Sequence, residues 1–106
     1  MVHNRLEQLL DMLEEDPRDP FNLYAVAIEY QEVNADKSRQ LFEKLLMDHP
    51  DYLPTYYHAA ALFSNLNDRD RALFIYDRGI ELASKQQNQH ALRELTNART
   101  SFMMED

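Results

Sequence analysis

Apolar residues return every three or four positions through most of the chain, and the breaks in that rhythm fall at Pro, Asn and Asp. Leu6, Leu9, Leu10 and Leu13 make the first stripe, the spacing of one helix face, and it ends before Pro17. A second helix is predicted from Asp19, whose carboxylate can cap it, with Pro20 at the first helical position where its missing N–H costs nothing. Its stripe runs Leu23, Val26, Ala27 and Tyr30. After Asn34 a third stripe, Leu41, Phe42, Leu45 and Leu46, stops at Pro50. The fourth helix is expected in DYLPTYYHAAALF, residues 51–63, where Tyr56, Ala59, Ala60 and Phe63 keep register, and Asn67 and Asp68 supply the turn and cap that follow. A fifth places Ala72, Leu73, Tyr76, Gly79, Ile80 and Ala83 at helical spacing, and a sixth, from about Asn88, carries Leu92, Leu95, Ala98, Phe102 and Met103. No segment sustains strand alternation, so the expectation is an all-α fold of about six helices.

The stripes also repeat. A shift of 33 residues lays Leu9 on Phe42, Leu13 on Leu46, Pro17 on Pro50, Leu23 on Tyr56, Tyr24 on Tyr57, Ala27 on Ala60, Tyr30 on Phe63 and Asn34 on Asn67. Past that turn the shift becomes 34, matching Phe42 with Tyr76. A period of this length, with two helices per unit, is the signature of a helical solenoid, in which each unit covers the apolar face of its neighbour.

At this point the chain resembles the tetratricopeptide repeat family, whose unit reads W-x2-L-G-x2-Y, then A-x3-F, then P. The second unit supplies Tyr56, Ala59, Ala60, Phe63, Ala72 and Tyr76, with Ser84 in the proline slot; the first supplies Leu23, Val26, Ala27, Tyr30, Ser38, Phe42 and Pro50. Departures are Leu23 and Tyr56 in the Trp slot, Ser38 in a small-residue slot, and a turn one residue short in the first unit. The resemblance covers residues 5–84. It implies a small bacterial-type member: antiparallel helix pairs stacked as a short right-handed solenoid over one domain, 1–106, with a half-repeat helix at 3–15, repeats at 19–50 and 51–84, and a capping helix at 88–104. A plain antiparallel bundle or a pentatricopeptide-type repeat is the competing fold. The aligned prolines and the acidity weigh against it.

The resemblance further implies that Ala59 and Ala60 sit where small side chains let helices approach, with Tyr56 and Phe63 as wedges on either side. It places the residue after the Trp slot in a concave groove that receives an extended or helical peptide. Carried over, this makes Tyr24, Ile28 and Gln31, with Tyr57, Ala61, Ser64 and Asn65, the candidate binding residues. The alternative is that the two tyrosine rings merely cover neighbouring helices. Some relatives grip a terminal carboxylate with Lys, Arg and Asn from such positions, but Tyr24, Ile28, Tyr57 and Ala61 stand there in this chain, which disfavours that mode. An apolar, aromatic groove with a polar edge suits apolar anchors of a peptide or a folded surface.

Composition narrows the function classes. The chain has 106 residues, one domain's worth. Formal net charge is -8, and residues 1–36 hold nine acids against Arg5 and Arg18. Clustered Lys and Arg are missing, so nucleic acid is a poor partner, whereas a basic peptide is electrostatically allowed. LEEDPRD reads first as a solvated helix end. Cysteine is absent, which excludes disulfides, thiolate metal sites and cysteine nucleophiles. The opening MVHNRLEQLLDMLEED has no basic stretch followed by an apolar core, and no run reaches membrane-spanning length, so a cytoplasmic location without membrane contact is expected. There is no Gly-rich phosphate loop, no nucleophile elbow and no His pair at i, i+4. His3, His49, His58 and His90 are scattered, so neither a metal site, a catalytic residue nor a cofactor is expected. Glu14 with Glu15, and Glu105 with Asp106, are expected to face solvent, and Met103 and Met104 to finish the apolar face of the last helix. Two functions remain open: a non-catalytic adaptor or scaffold binding a protein or peptide segment, or a self-association module forming a homodimer.

Overall fold

Five helices start on an Asn or Asp that does the capping itself. The side chains of Asn4, Asp19, Asn34, Asp68 and Asn88 accept hydrogen bonds from the backbone N–H groups of Glu7, Phe21, Lys37, Arg71 and Ala91. These caps open α1 (Arg5–Glu15), α2 (Pro20–Tyr30), α3 (Ala35–Asp48), α5 (Arg69–Lys85) and α6 (Gln89–Met103). The exception is α4 (Pro54–Asn65), preceded by Leu53 without a side-chain cap and opened by Pro54 instead. Asp51 to Leu53, expected to be helical, form its approach turn, although Leu53 itself keeps helical φ and ψ of -58° and -40° before Pro54. These are the helices of a computed structural model that describes residues 4–105. No strand occurs among the described residues, and the fold is an all-α helical repeat. His3, Asp106 and the start of the 3–15 segment lie outside the described residues.

The chain resolves into two compact units, the first ending at Tyr52 and the second beginning at Leu53. In the first, α2 packs against both α1 and α3. Leu23, Val26 and Ala27 of α2 and Ser38, Phe42 and Leu45 of α3 are buried, while α1 contributes no buried residue. Ser38 fits its small slot because its Oγ donates to the Ala27 carbonyl at 2.7 Å, so the hydroxyl is satisfied inside the core. Asn22, buried in the first turn of α2, donates through Nδ2 to the carbonyls of Met12 and Asp16, both at 3.2 Å. It thereby caps the end of α1 from the next helix.

In the second unit α5 lies against both α4 and α6, and α4 also meets α6. Tyr56, Ala59, Ala60 and Phe63 are buried as the stripe predicted, joined by Leu62 and Thr55. On α5, Ala72, Tyr76, Gly79 and Ala83 are buried as expected, but Ile75 is buried where Leu73 and Ile80 are only half-buried. A helix covered on two sides buries a wider arc than one stripe.

The turns after α4 and α5 share one geometry. Asn67 and Gln87 take positive φ, 63° and 58°. The next N–H, of Asp68 or Asn88, reaches back to the carbonyl of Phe63 or Ala83, at 2.9 Å in each case. This is the Schellman closure of a helix end. The shorter turn after α2 lacks it: the Asn34 N–H bonds Tyr30 O at 2.7 Å without a left-handed residue, which accounts for the missing residue in that unit.

Candidate protein-binding faces

The first unit carries Tyr24, Ile28 and Gln31 at i, i+4 and i+7, a spacing that sets them on one face of α2. All three are half-buried, beside a neighbouring face where Leu23, Val26 and Ala27 are core. Tyr24 is engaged edge-to-face by Tyr52, ring centroids 5.8 Å apart at 67°. Burial raises the Tyr52 phenol above its ordinary pKa, and the carboxylate of Asp19 adds to the shift. Tyr24 therefore presents part of a ring already tied into packing. Gln31 follows the last turn of α2, its N–H bonded to the Ile28 carbonyl at 3.1 Å.

The second unit repeats the spacing with Tyr57, Ala61 and Ser64 on α4, Asn65 adjoining. Tyr56 is 6% exposed and Tyr57 40% exposed, although they are consecutive. Tyr57 meets the His58 imidazole edge-on at 5.3 Å and 72°. Burial holds the His58 imidazole below its ordinary pKa, with the Glu94 carboxylate on α6 opposing that shift. Burial, then Tyr57, then Glu105, raises the Tyr76 phenol. Ala61 and Ser64 are half-buried and Asn65 is exposed, so this face grades from aromatic to polar along α4.

Two shallow clefts of the first unit, about 390 and 350 Å³, lie elsewhere, around Asp48 and His49. In the larger, Lys44 and Asp48 neutralise each other at 3.2 Å. No group of three or more His, Asp or Glu among the described residues could hold a metal ion. No helix of the described residues is long and apolar enough to cross a membrane.

Other interactions join the helices of the second unit. The Arg69 guanidinium lies 4.4 Å from the Phe102 ring centre, and Tyr76 tilts against that ring at 5.6 Å. Asp77 accepts from Arg99 at 2.6 Å. Phe102 is buried, whereas Met103 and Met104 are 48% and 80% exposed, so Phe102 closes the apolar face of α6 and the methionines do not. Sequence reasoning placed Gly79 on the α5 stripe but missed how closely it meets α4. As the chain's sole glycine on an apolar helical stripe it carried a readable signal of close approach: a Cβ there would stand 2.7 Å from the Tyr56 Cβ.

No family model matches the chain. Among solved structures, the crystal structure of a tetratricopeptide repeat domain protein from Salinibacter ruber superposes with a TM-score of 0.77 at 39% identity, covering 82% of this chain and 99% of that one. A solution structure of a tetratricopeptide repeat domain protein from the same organism gives 0.79 at 40% identity, covering 85% and 93%. The pre-mRNA-splicing factor CLF1 of Eremothecium gossypii is 38% identical over 64 residues, 60% of this chain. The chain spans 9% of the length of that curated relative. Paired helices with small residues at their crossings, a period of 33 and 34 residues, and two such superpositions at this level of identity agree: the chain belongs to the tetratricopeptide repeat family.

Proposed function

We propose that this chain is a non-catalytic interaction module that takes a peptide or protein segment on the faces bearing Tyr24, Ile28 and Gln31 and Tyr57, Ala61, Ser64 and Asn65. The observation that carries the reading is the Tyr57 ring, 40% exposed on a helix whose neighbouring face, Tyr56, Ala59, Ala60 and Phe63, is packed. A rigid aromatic held at the surface supplies contact area at low entropic cost, which is how interfaces use tyrosine. Nucleic acid is the poorer partner, since Arg5, Arg39, Lys44 and Arg99 each face a carboxylate of this chain. We place the protein in the cytoplasm. The test is selection of displayed random peptides on the full chain, followed by Tyr24→Ala with Tyr57→Ala. Loss of the selected peptides with helical circular dichroism intact supports these faces; retained binding by the folded double variant refutes them.

Self-association is the second reading, favoured by the exposure of Met103 and Met104 at the end of α6. Sedimentation of the purified chain distinguishes it, because a monomer at every concentration excludes it.

A further inference from the structure

Ser38, Phe42 and Leu45 stand at i, i+4 and i+7 on α3 and share the face that meets α2. The Ser38 Oγ bonds the Ala27 carbonyl of α2, and all three side chains are fully covered. Counting back 33 residues, the same positions on α1 are Arg5, Leu9 and Met12. The outcome there is different. Leu9 is half-buried, Met12 is 42% exposed, and among the described residues α1 packs against α2 alone. A face that is fully covered on α3 is only partly covered on α1, and Met12 is its open end. It is nonetheless held in place, because the Asn22 amide fixes the carbonyl of Met12, and Arg5 pairs with Glu29 of α2 at 2.6 Å.

The surroundings of this face decide what fits it. Glu15 and Asp16 follow Met12 by three and four residues, hence one turn on and beside it, and Asp11 lies one turn before Glu15; all three are exposed. The first unit as a whole carries twelve acids against Arg5, Arg18, Lys37, Arg39 and Lys44. A second copy of the same face would bring like charge onto like charge, while a basic helix is drawn in and oriented. We propose that the Leu9 and Met12 face of α1 is a docking surface for a basic amphipathic helix of a partner protein. Its apolar stripe covers Leu9 and Met12, and its Lys or Arg side chains meet Asp11, Glu15 and Asp16. This surface is on a different helix from the α2 and α4 faces, so either can fail without the other.

The probe is a synthetic helix of about four turns, Leu at i, i+3, i+4 and i+7 with flanking Lys, the pattern of helix-in-groove ligands. It is titrated into the full chain by fluorescence anisotropy, beside a scrambled peptide of the same composition and a version with Glu for Lys. Only the basic amphipathic peptide should bind saturably. Met12→Lys should weaken it about tenfold or more, the effect of losing a central apolar anchor and adding a like charge. Glu15→Lys with Asp16→Lys, at exposed sites, should weaken it too and flatten its salt dependence, so the test stands even if Met12→Lys fails to fold. The Tyr24→Ala, Tyr57→Ala variant should bind it unchanged. Equal binding by the scrambled or acidic peptide overturns the proposal, as does unaltered binding by a folded Met12→Lys variant or by the charge-reversal variant. Loss of binding in the tyrosine double variant overturns it by moving the site. Concentration-dependent dimers that Met12→Lys dissolves overturn it by assigning the face to a second copy.

Discussion

Tyr56 is packed against neighbours on every side while Tyr57, the next residue, leaves much of its ring in solvent. Substituting each by alanine should therefore do different things. Tyr56→Ala opens a cavity, which costs on the order of 3 to 5 kcal/mol for a buried aromatic. Tyr57→Ala should stay within about 1 kcal/mol of the parent, because little packing is lost at an exposed site. Denaturation midpoints of the two variants check this, and a reversed order would mean that the register of α4 is wrong. Gly79 tests the opposite side of the same crossing. Alanine is the better helix former by about 1 kcal/mol. Its Cβ, however, would lie 2.7 Å from the Tyr56 Cβ and 3.2 Å from the Leu95 Cδ1. A Cβ cannot swing aside as a side-chain tip does, so α5 must shift, and overpacking of this kind costs about 1 to 3 kcal/mol. We expect Gly79→Ala to melt below the parent; a midpoint equal or higher would show that the two helices separate freely.

Among the elements, α6 has the weakest motif match and some of the plainest contacts. Phe102 is buried between the Arg69 guanidinium and Tyr76, and Leu95 is buried near Gly79. Ending the chain at Lys85 would expose Tyr76, Gly79 and Ala83 of α5, so lost stability and aggregation should follow, as for other solenoids deprived of a terminal cap. A truncated chain that stays monomeric with the parent's melting midpoint would contradict this. The helices were legible in the sequence because their signals are local. An Asn or Asp two or three residues before its N–H partner and a Pro at the first position can be read without tertiary knowledge, and so can a stripe at three and four. Burial of Ile75 in preference to Leu73 could not be read, since it depends on α5 being covered from two sides. Nor could Asn22, whose partner Met12 lies ten residues away on another helix. For the candidate faces, the repeat register together with the family resemblance put Tyr57 outward and Tyr56 inward. That Tyr24 leans on Tyr52 was not readable, because Tyr52 lies in a turn with no periodicity to place it.

Taken over the whole molecule, acidification should act in part through His58. Its folded pKa lies below the ordinary imidazole value of 6.5, chiefly because of burial. From that value downward the unfolded chain binds the proton more readily than the folded one, so stability falls as pH drops through the window and rises again with pH. His58→Gln should remove this share of the acid sensitivity. Melting midpoints of parent and variant measured between about pH 8 and 5 should diverge at the acid end, and parallel curves would dismiss the role of His58. The pairing of helices has a kinetic consequence as well. Among the described residues of each unit, α1 meets α2, α2 meets α3, α4 meets α5 and α5 meets α6, all sequence neighbours; only α4 with α6 skips an element there. Chain closure between such partners spans a turn of a few residues and forfeits little entropy before the contact forms. Folding should accordingly run on the microsecond-to-millisecond scale of proteins with local contacts, and transient opening should release neighbouring helices together rather than the chain at once.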